Sequence, residues 1–462
     1  MLKESIIQNA LSIAQKTGAD FAELFLEDTT TNGISMTDGK VESATCARKN
    51  GVGIRVLKGT SSAYAYTSGT DEADIYRAAE AAAAGIVGVG EGKSAVFSRR
   101  SYAMEQRIPF KTVANDERIE LLRAGTAACR EVSNEITQVS ASYMDKVRRV
   151  LICNSEGTYV IDERPRTRSF VQAIAMKDGE AQTGRESPGC CGGFEVYRDR
   201  IDIVSAGRAA GKTAVTMLSG KECPAGNVPV VIDGGFGGVI FHEACGHSLE
   251  ATSVSLGNSE FCGKLGQQIA APCVSACDNG TLEGEWGTIL VDDEGTEGRN
   301  NLLIENGVLK GYMIDLLGSR RMGMPVTGNS RRQDYTYAPT SRMTNTYIME
   351  GTDDEEEMIR TMGTGLYAAK LGGGSVNPLT GEFNFAVLEG YWVKDGKIYC
   401  PVRGAMLIDT GSQILKRIDR VGPRMWMGQG MCGSLSGSVP TNVGQPRIRV
   451  TELTVGGKGG AL

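Results

Sequence analysis

His242-Glu243-Ala244-Cys245-Gly246-His247 contains both histidines of a 462-residue chain. Scattered singly, two histidines would read as accidents of core or surface. Placed in one short segment, with a glutamate directly after the first, they read as two metal ligands and a general base. Neutral imidazole is the commonest nitrogen ligand of zinc. A carboxylate beside a ligand can serve a metal-polarised water without binding the ion itself. The spacing then constrains the local fold. Zinc peptidases usually carry H-E-x-x-H, in which i and i+4 share a helix face. Here the separation is i and i+5, which on a regular α-helix is roughly 140° apart. One inserted residue, a π-bulge, brings the two rings back to one side. Gly246 eases such a distortion. The motif therefore predicts an irregular helix between His242 and His247.

Working outward, Val228 to Ile232 reads as a buried strand, followed by Gly234-Gly235-Phe236-Gly237-Gly238. A glycine-rich loop before a helix can cradle phosphate. No Gly-Lys-Ser/Thr follows, and the dinucleotide spacing is missing. Close backbone packing beside the metal helix is the preferred reading. Residues 222–462 are glycine-rich and strand-rich. Before them, the break at Ser219-Gly220-Lys221, ahead of Pro224, marks the main boundary.

Two smaller blocks precede that boundary. Residues 2–16 carry apolar positions at helical spacing. Residues 21–27, 51–57 and 61–66 read as strands, and the Ala-rich 71–86, capped by Thr70 or Asp71, as a helix. After the basic stretch Arg99 to Pro109, residues 115–132 look helical. Strands are expected at 136–143, 148–153, 159–163 and 169–176, with a hairpin turn at Asn154-Ser155-Glu156-Gly157, then a helix near 200–218. The order is helix, antiparallel meander, helix, which is an α+β plan and not alternating βαβ units. The expected division is 1–95 (N-terminal α+β domain), 96–220 (middle α+β domain) and 221–462 (large C-terminal domain holding the metal motif).

Composition bounds the partners. A net charge of −6 argues against a nucleic-acid surface, which needs a basic patch. No apolar run of eighteen or more residues exists, so no membrane span is expected. The N-terminal segment through Ile7 has Glu4 inside it and Gln8 and Asn9 after it, and so lacks a signal-peptide core. The expectation is a cytoplasmic, soluble protein. Twelve cysteines without such a signal are expected to be free thiols, apart from one or two ligands. Cys190-Cys191 and Cys273/Cys277 do not have zinc-ribbon or redox spacing.

Two histidines are too few for a catalytic zinc, which takes three protein ligands and an open position. The third ligand must be Cys, Asp or Glu. Local candidates are Cys245, Glu250 and Cys262. A distal one is Cys432, on the glycine-flanked Gly428-Gln429-Gly430-Met431-Cys432-Gly433. Spacing leaves Glu250 and Cys432 open, and charge does not separate them. Zn²⁺ with two neutral imidazoles and one thiolate or carboxylate totals +1 in either case.

Four stretches carry a family resemblance: HEACGHSLEA (242–251), GNSRRQDYTYAPTSRMTNTYI (328–348), GGGSVNPLTGEFNFAV (372–387) and GQGMCGSLSGSVPTNVGQPRIRVTELTVGG (428–457). In that order they resemble the TldD/PmbA metalloproteases, specifically the catalytic TldD branch. The resemblance implies that His242, His247 and Cys432 bind Zn²⁺ and that Glu243 is the general base. It also implies a dimer, either of two such chains or with a non-catalytic PmbA/TldE-like homologue. The zinc would face an enclosed chamber, and the substrates would be short or unfolded peptides. Position 245 departs from the family pattern in being Cys, position 434 in being Ser where Lys is common, and position 337 in being Tyr where some catalytic members have His. Arg331, Arg332, Tyr335, Tyr337 and Arg342 are candidates for stabilising the developing oxyanion. Two other classes are a metal-braced, non-proteolytic partner subunit and a metal-dependent amidohydrolase of small amides. Retention of Glu243 argues against the first. A narrow pocket in place of an extended groove would favour the second.

Overall fold

The structure, a computed structural model, describes residues 2–92, 94–377 and 380–462. Met1, at the head of the N-terminal reading, lies outside them, as do Pro378 and Leu379 of the 372–387 stretch. The fold is α+β and is built on three main sheets.

The first sheet places Ser61–Thr67, Lys40–Lys58, Phe21–Thr37, Ile136–Asn154, Thr158–Lys177 and Ser98–Ala103 side by side. All neighbours are antiparallel except the last pair. Strands from both N-terminal blocks thus share one sheet. Along Phe21–Thr37 the two faces alternate in a telling way. Ala22, Leu24, Ile34 and Met36 pack under helices: Glu4–Gln15 and Glu72–Ala84 at one end, Asn115–Arg130 and Ile203–Leu218 at the other. Glu23, Phe25 and Glu27 are equally buried but face the C-terminal region. Both faces of this strand are thus buried, one apolar and the other mixing apolar with acidic residues.

The expected helices are present, Asp71 and Asp202 capping theirs by accepting backbone amide hydrogens. The Asn154 to Gly157 turn is also there, with the Asn154 side chain accepting from the amides of Glu156 and Thr158. The four short strands expected between 136 and 176 are two long ones, Ile136–Asn154 and Thr158–Lys177. Their polar middles, read as breaks, are buried. Asp145 is fully buried and accepts from Arg118 and Tyr143. Arg164 is paired with Asp162 and Asp293. Residues 28–37 and 40–50 are strand as well, joined by a turn at Asp38-Gly39. Lys40 to Asn50 is exposed on both faces, so it carries no hydrophobic period to read.

The C-terminal region holds an eight-stranded mixed sheet and a six-stranded one. The helical segment 239–249 lies between them. Its Ile240, Phe241, Ala244, Cys245 and Leu249 join one continuous core with Val230, Ile232, Ile448 and Val450 of the strands. The glycine run does what close packing requires. A Cβ on Gly238 would stand 2.5 Å from the backbone of Gly444, so only glycine lets the helix entrance lie against that strand.

Candidate metal centre

The helix is irregular where the motif requires it. Val239–Phe241 is α-helical, His242–Gly246 is one π-turn, and His247–Leu249 tightens to a 3₁₀ turn. The amide of His247 donates to the carbonyl of His242, five residues back. That extra residue per turn sets the two rings on one side, with centroids 5.1 Å apart and planes at 85°. Gly246 packs directly against the Met343 side chain, leaving no room for a Cβ.

Cys432 comes from the other end of the region. It lies on Trp426–Ser434, an edge strand of the six-stranded sheet, paired antiparallel with Gly437–Gln445. Its Sγ stands 3.2 Å from Nε2 of His242 and 3.3 Å from Nε2 of His247. The three donor atoms all lie within 4.8 Å of one another. Ligands on one tetrahedral zinc sit about 3.3–3.6 Å apart, given bonds of about 2.0–2.3 Å. Two imidazole nitrogens and a thiolate at this spacing fit zinc. Burial raises the thiol pKa, but the adjacent His242 and His247 outweigh it and hold Cys432 well below the ordinary thiol range. The donor is therefore poised as thiolate, the form that binds metal.

The other local candidates are placed elsewhere. Cys245 is fully buried among apolar residues, and burial drives its pKa well up. Cys262 points its thiol to the carbonyl of Val254. Glu250 does not join the donor triangle. Its Oε2 lies 3.2 Å from Nδ1 of His247, behind the ring, where a carboxylate orients a ligating histidine and fixes its tautomer. Burial pulls the His247 pKa down, but Glu250 and Cys432 pull it up further. Glu243 occupies the remaining side. Its Oε2 is 3.8 Å from Nε2 of His247, and its side chain is 22% exposed, unlike Glu250 at 3%. A carboxylate partly open to water and next to the donor triangle has the placement of a base.

Among the oxyanion candidates, the arginines are tied into the scaffold. Arg332 is fully buried, pairs with Glu23 and donates to the carbonyl of Asp293. Arg331 donates to the carbonyl of Met343, and burial, then the nearby charge of Arg166, lowers it to about 9. Arg342 is fully buried and donates to the carbonyls of Cys432 and Gly437, with Nε 3.9 Å from Glu250. It braces the cysteine from behind. Tyr335 packs edge-on to Tyr66 of the first sheet. These polar residues looked catalytic because they are charged and bounded by glycines. Glu23, the buried carboxylate partner of Arg332, lies 309 residues away in sequence. Arg342 and Glu250 as supports were not foreseen. The three-residue spacing of Glu250 from His247 was a usable signal.

Three domain models of the PmbA/TldA metallopeptidases match residues 22–85, 108–218 and 225–457. A Haemophilus influenzae protein named metalloprotease TldD homolog is 34% identical over 99% of this chain and 97% of its own length. A Saccharolobus solfataricus protein named zinc metalloprotease TldD homolog is 28% identical over 74% of this chain and 76% of its own. The crystal structure of TldE from Thermococcus kodakarensis superposes with a TM-score of 0.77 at 18% identity, covering 98% of this chain and all of that one. By sequence over its whole length and by fold, the chain belongs to the PmbA/TldD metallopeptidase family.

Proposed function

We propose that this chain is a zinc-dependent peptidase of the TldD type, with His242, His247 and Cys432 as ligands and Glu243 as general base. The observation that carries the reading is the convergence of three donor atoms within 4.8 Å, beside a partly exposed carboxylate. A structural zinc site takes four protein ligands. Three donors plus a carboxylate fit a catalytic site better. Zinc, when bound, would supply Lewis acidity to water and to the scissile carbonyl. Glu243 would accept the proton of the attacking water and return it to the leaving amine. Glu250 would hold the His247 ring, and Arg342 would hold the backbone at Cys432.

Short or unfolded peptides are the proposed substrates. Trp426–Ser434 is an edge strand, and edge strands hold extended peptides by backbone pairing with weak sequence selectivity. A cleft of about 950 Å³ is lined by residues 426–431 of it, though by none of His242, Glu243, His247 or Cys432. An edge strand open to backbone pairing favours the peptidase over the amidohydrolase. We further propose three domains with limits 1–95, 96–220 and 221–462, cytoplasmic placement, and a dimer with a second copy or a PmbA/TldE-like subunit. The three family matches, at 22–85, 108–218 and 225–457, are what support these limits. Among the described residues, no helix is long and apolar enough to cross a membrane.

The test is elemental analysis of the purified chain, with peptide cleavage measured alone and with a PmbA/TldE-like partner. About one zinc per chain with cleavage is expected. Stoichiometric zinc with no cleavage in either arm would favour the metal-braced subunit.

A further inference from the structure

The cleft is walled on one side by residues 426–431 of the cysteine strand. The facing wall includes Arg168, Arg185 and Ser187. The cleft reaches Met431, one residue short of Cys432. Its charges do not cancel. Lys370 is paired with Glu186, Arg447 with Asp233 and Arg424 with Glu355. Asp202 accepts from the amides of Val204 and Ser205. Arg168, Arg185 and Arg200 are left over with Asp202, and among the described residues none of the three arginines forms an ion pair.

Arg168 is held in place. Its Nε donates to the Ser187 carbonyl at 3.3 Å, and its Nη2 to Ser187 Oγ and the Gln429 carbonyl, both at 2.9 Å. The guanidinium also lies 5.7 Å from the Trp286 ring centroid. Burial, then the nearby charge of Arg185, lowers its pKa. Arg185 is exposed and screened by water, but Arg168 is half-buried with no carboxylate beside it, an arrangement that an anion would relieve. The Arg168 Nε and Nη2 are taken by neutral acceptors, and Nη1 is the donor left to meet a carboxylate.

We propose that Arg168 and Arg185 form a carboxylate-binding subsite of the peptide cleft. This deepens the peptidase reading and rests on it. The Arg168 contact at Gln429 is three residues before Cys432, about 10 Å along an extended strand. For a peptide paired residue by residue along this strand, the recognised group then lies about three residues from the scissile bond. It is either an acidic side chain or the C-terminal carboxylate of a short peptide.

Three peptides of one length decide the matter: one with Glu at the third position from the cleaved bond and an amidated C-terminus, one neutral with a free C-terminus, and one neutral and amidated. Their affinities are measured by fluorescence anisotropy on zinc-loaded Glu243→Gln protein, where binding is read without turnover. At least one carboxylate peptide is expected to bind about tenfold tighter than the neutral amide, as a charged hydrogen bond would give. Which one does so identifies the source. Arg185→Gln in the same background should bring it to the neutral peptide's affinity. Equal affinities, no binding, or a preference that survives in both the Arg185→Gln and the Arg168→Gln backgrounds overturns the subsite. A carboxylate preference together with no cleavage by the wild-type protein would keep the subsite and sink the peptidase reading.

Discussion

At the residue scale, substitution separates the proposed roles of ligand, base and support. Cys432→Ser should strip the zinc or weaken it sharply, because a neutral hydroxyl is a poor ligand. Glu250→Gln keeps the volume behind His247 but loses the charge on its ring. Losing such a partner typically weakens metal affinity about 10–100-fold, so a chelator competition should show intermediate affinity. Full zinc in Cys432→Ser with none in Glu250→Gln would reverse the two assignments. Glu243→Gln should retain near-normal zinc and cleave nothing measurable. Losing a general base costs a factor of about 10²–10⁴. Turnover within a few-fold of wild type would remove Glu243 from the chemistry.

At the scale of elements, one short helix beside the metal region carries a titration. Asp315 caps Leu316–Met322, accepting from the amide of Gly318. Burial, then the charge of Glu294, raises its pKa to about 7 against the opposing pull of Arg55. A carboxyl raised on folding binds its proton more tightly in the native state. Its contribution is fully present below the ordinary value of 3.8 and is lost as pH rises through about 7. Asp315→Asn keeps an acceptor for the Gly318 amide and removes the charge. Its melting temperature should exceed that of wild type near pH 8, with the gap shrinking as pH falls toward about 5. A gap that is constant with pH would contradict the assignment. The metal helix shows how much an element owes to local spacing. The five-residue separation of His242 and His247 was enough to require a π-turn, because no regular helix puts both rings on one ion.

At the scale of the whole molecule, buried ion pairs fasten the first sheet to the C-terminal region. Arg332 meets Glu23, Arg55 meets Glu294, and Arg164 meets Asp293. Such pairs add little net stability over apolar replacements, but removing one partner typically costs about 3–5 kcal/mol. Arg332→Leu should therefore lower the urea midpoint strongly, and adding Glu23→Leu should recover part of the loss. A double variant as unstable as the sum of both singles would show that the pair is not coupled.

The sequence by itself determined the irregular helix at the histidine motif, the α+β pattern and the main helices. These rest on spacing within a few residues, where backbone geometry leaves few options. Only the tertiary structure brought Cys432 to His242 and His247, across about 190 residues, and set Glu250 behind the ring. It alone joined the expected short strands into long ones and turned Arg332 and Arg342 from candidate catalysts into braces. The physical reason is shared by these cases. A charged residue in sequence looks solvated or catalytic, and whether it is buried depends on a partner that only the folded chain supplies.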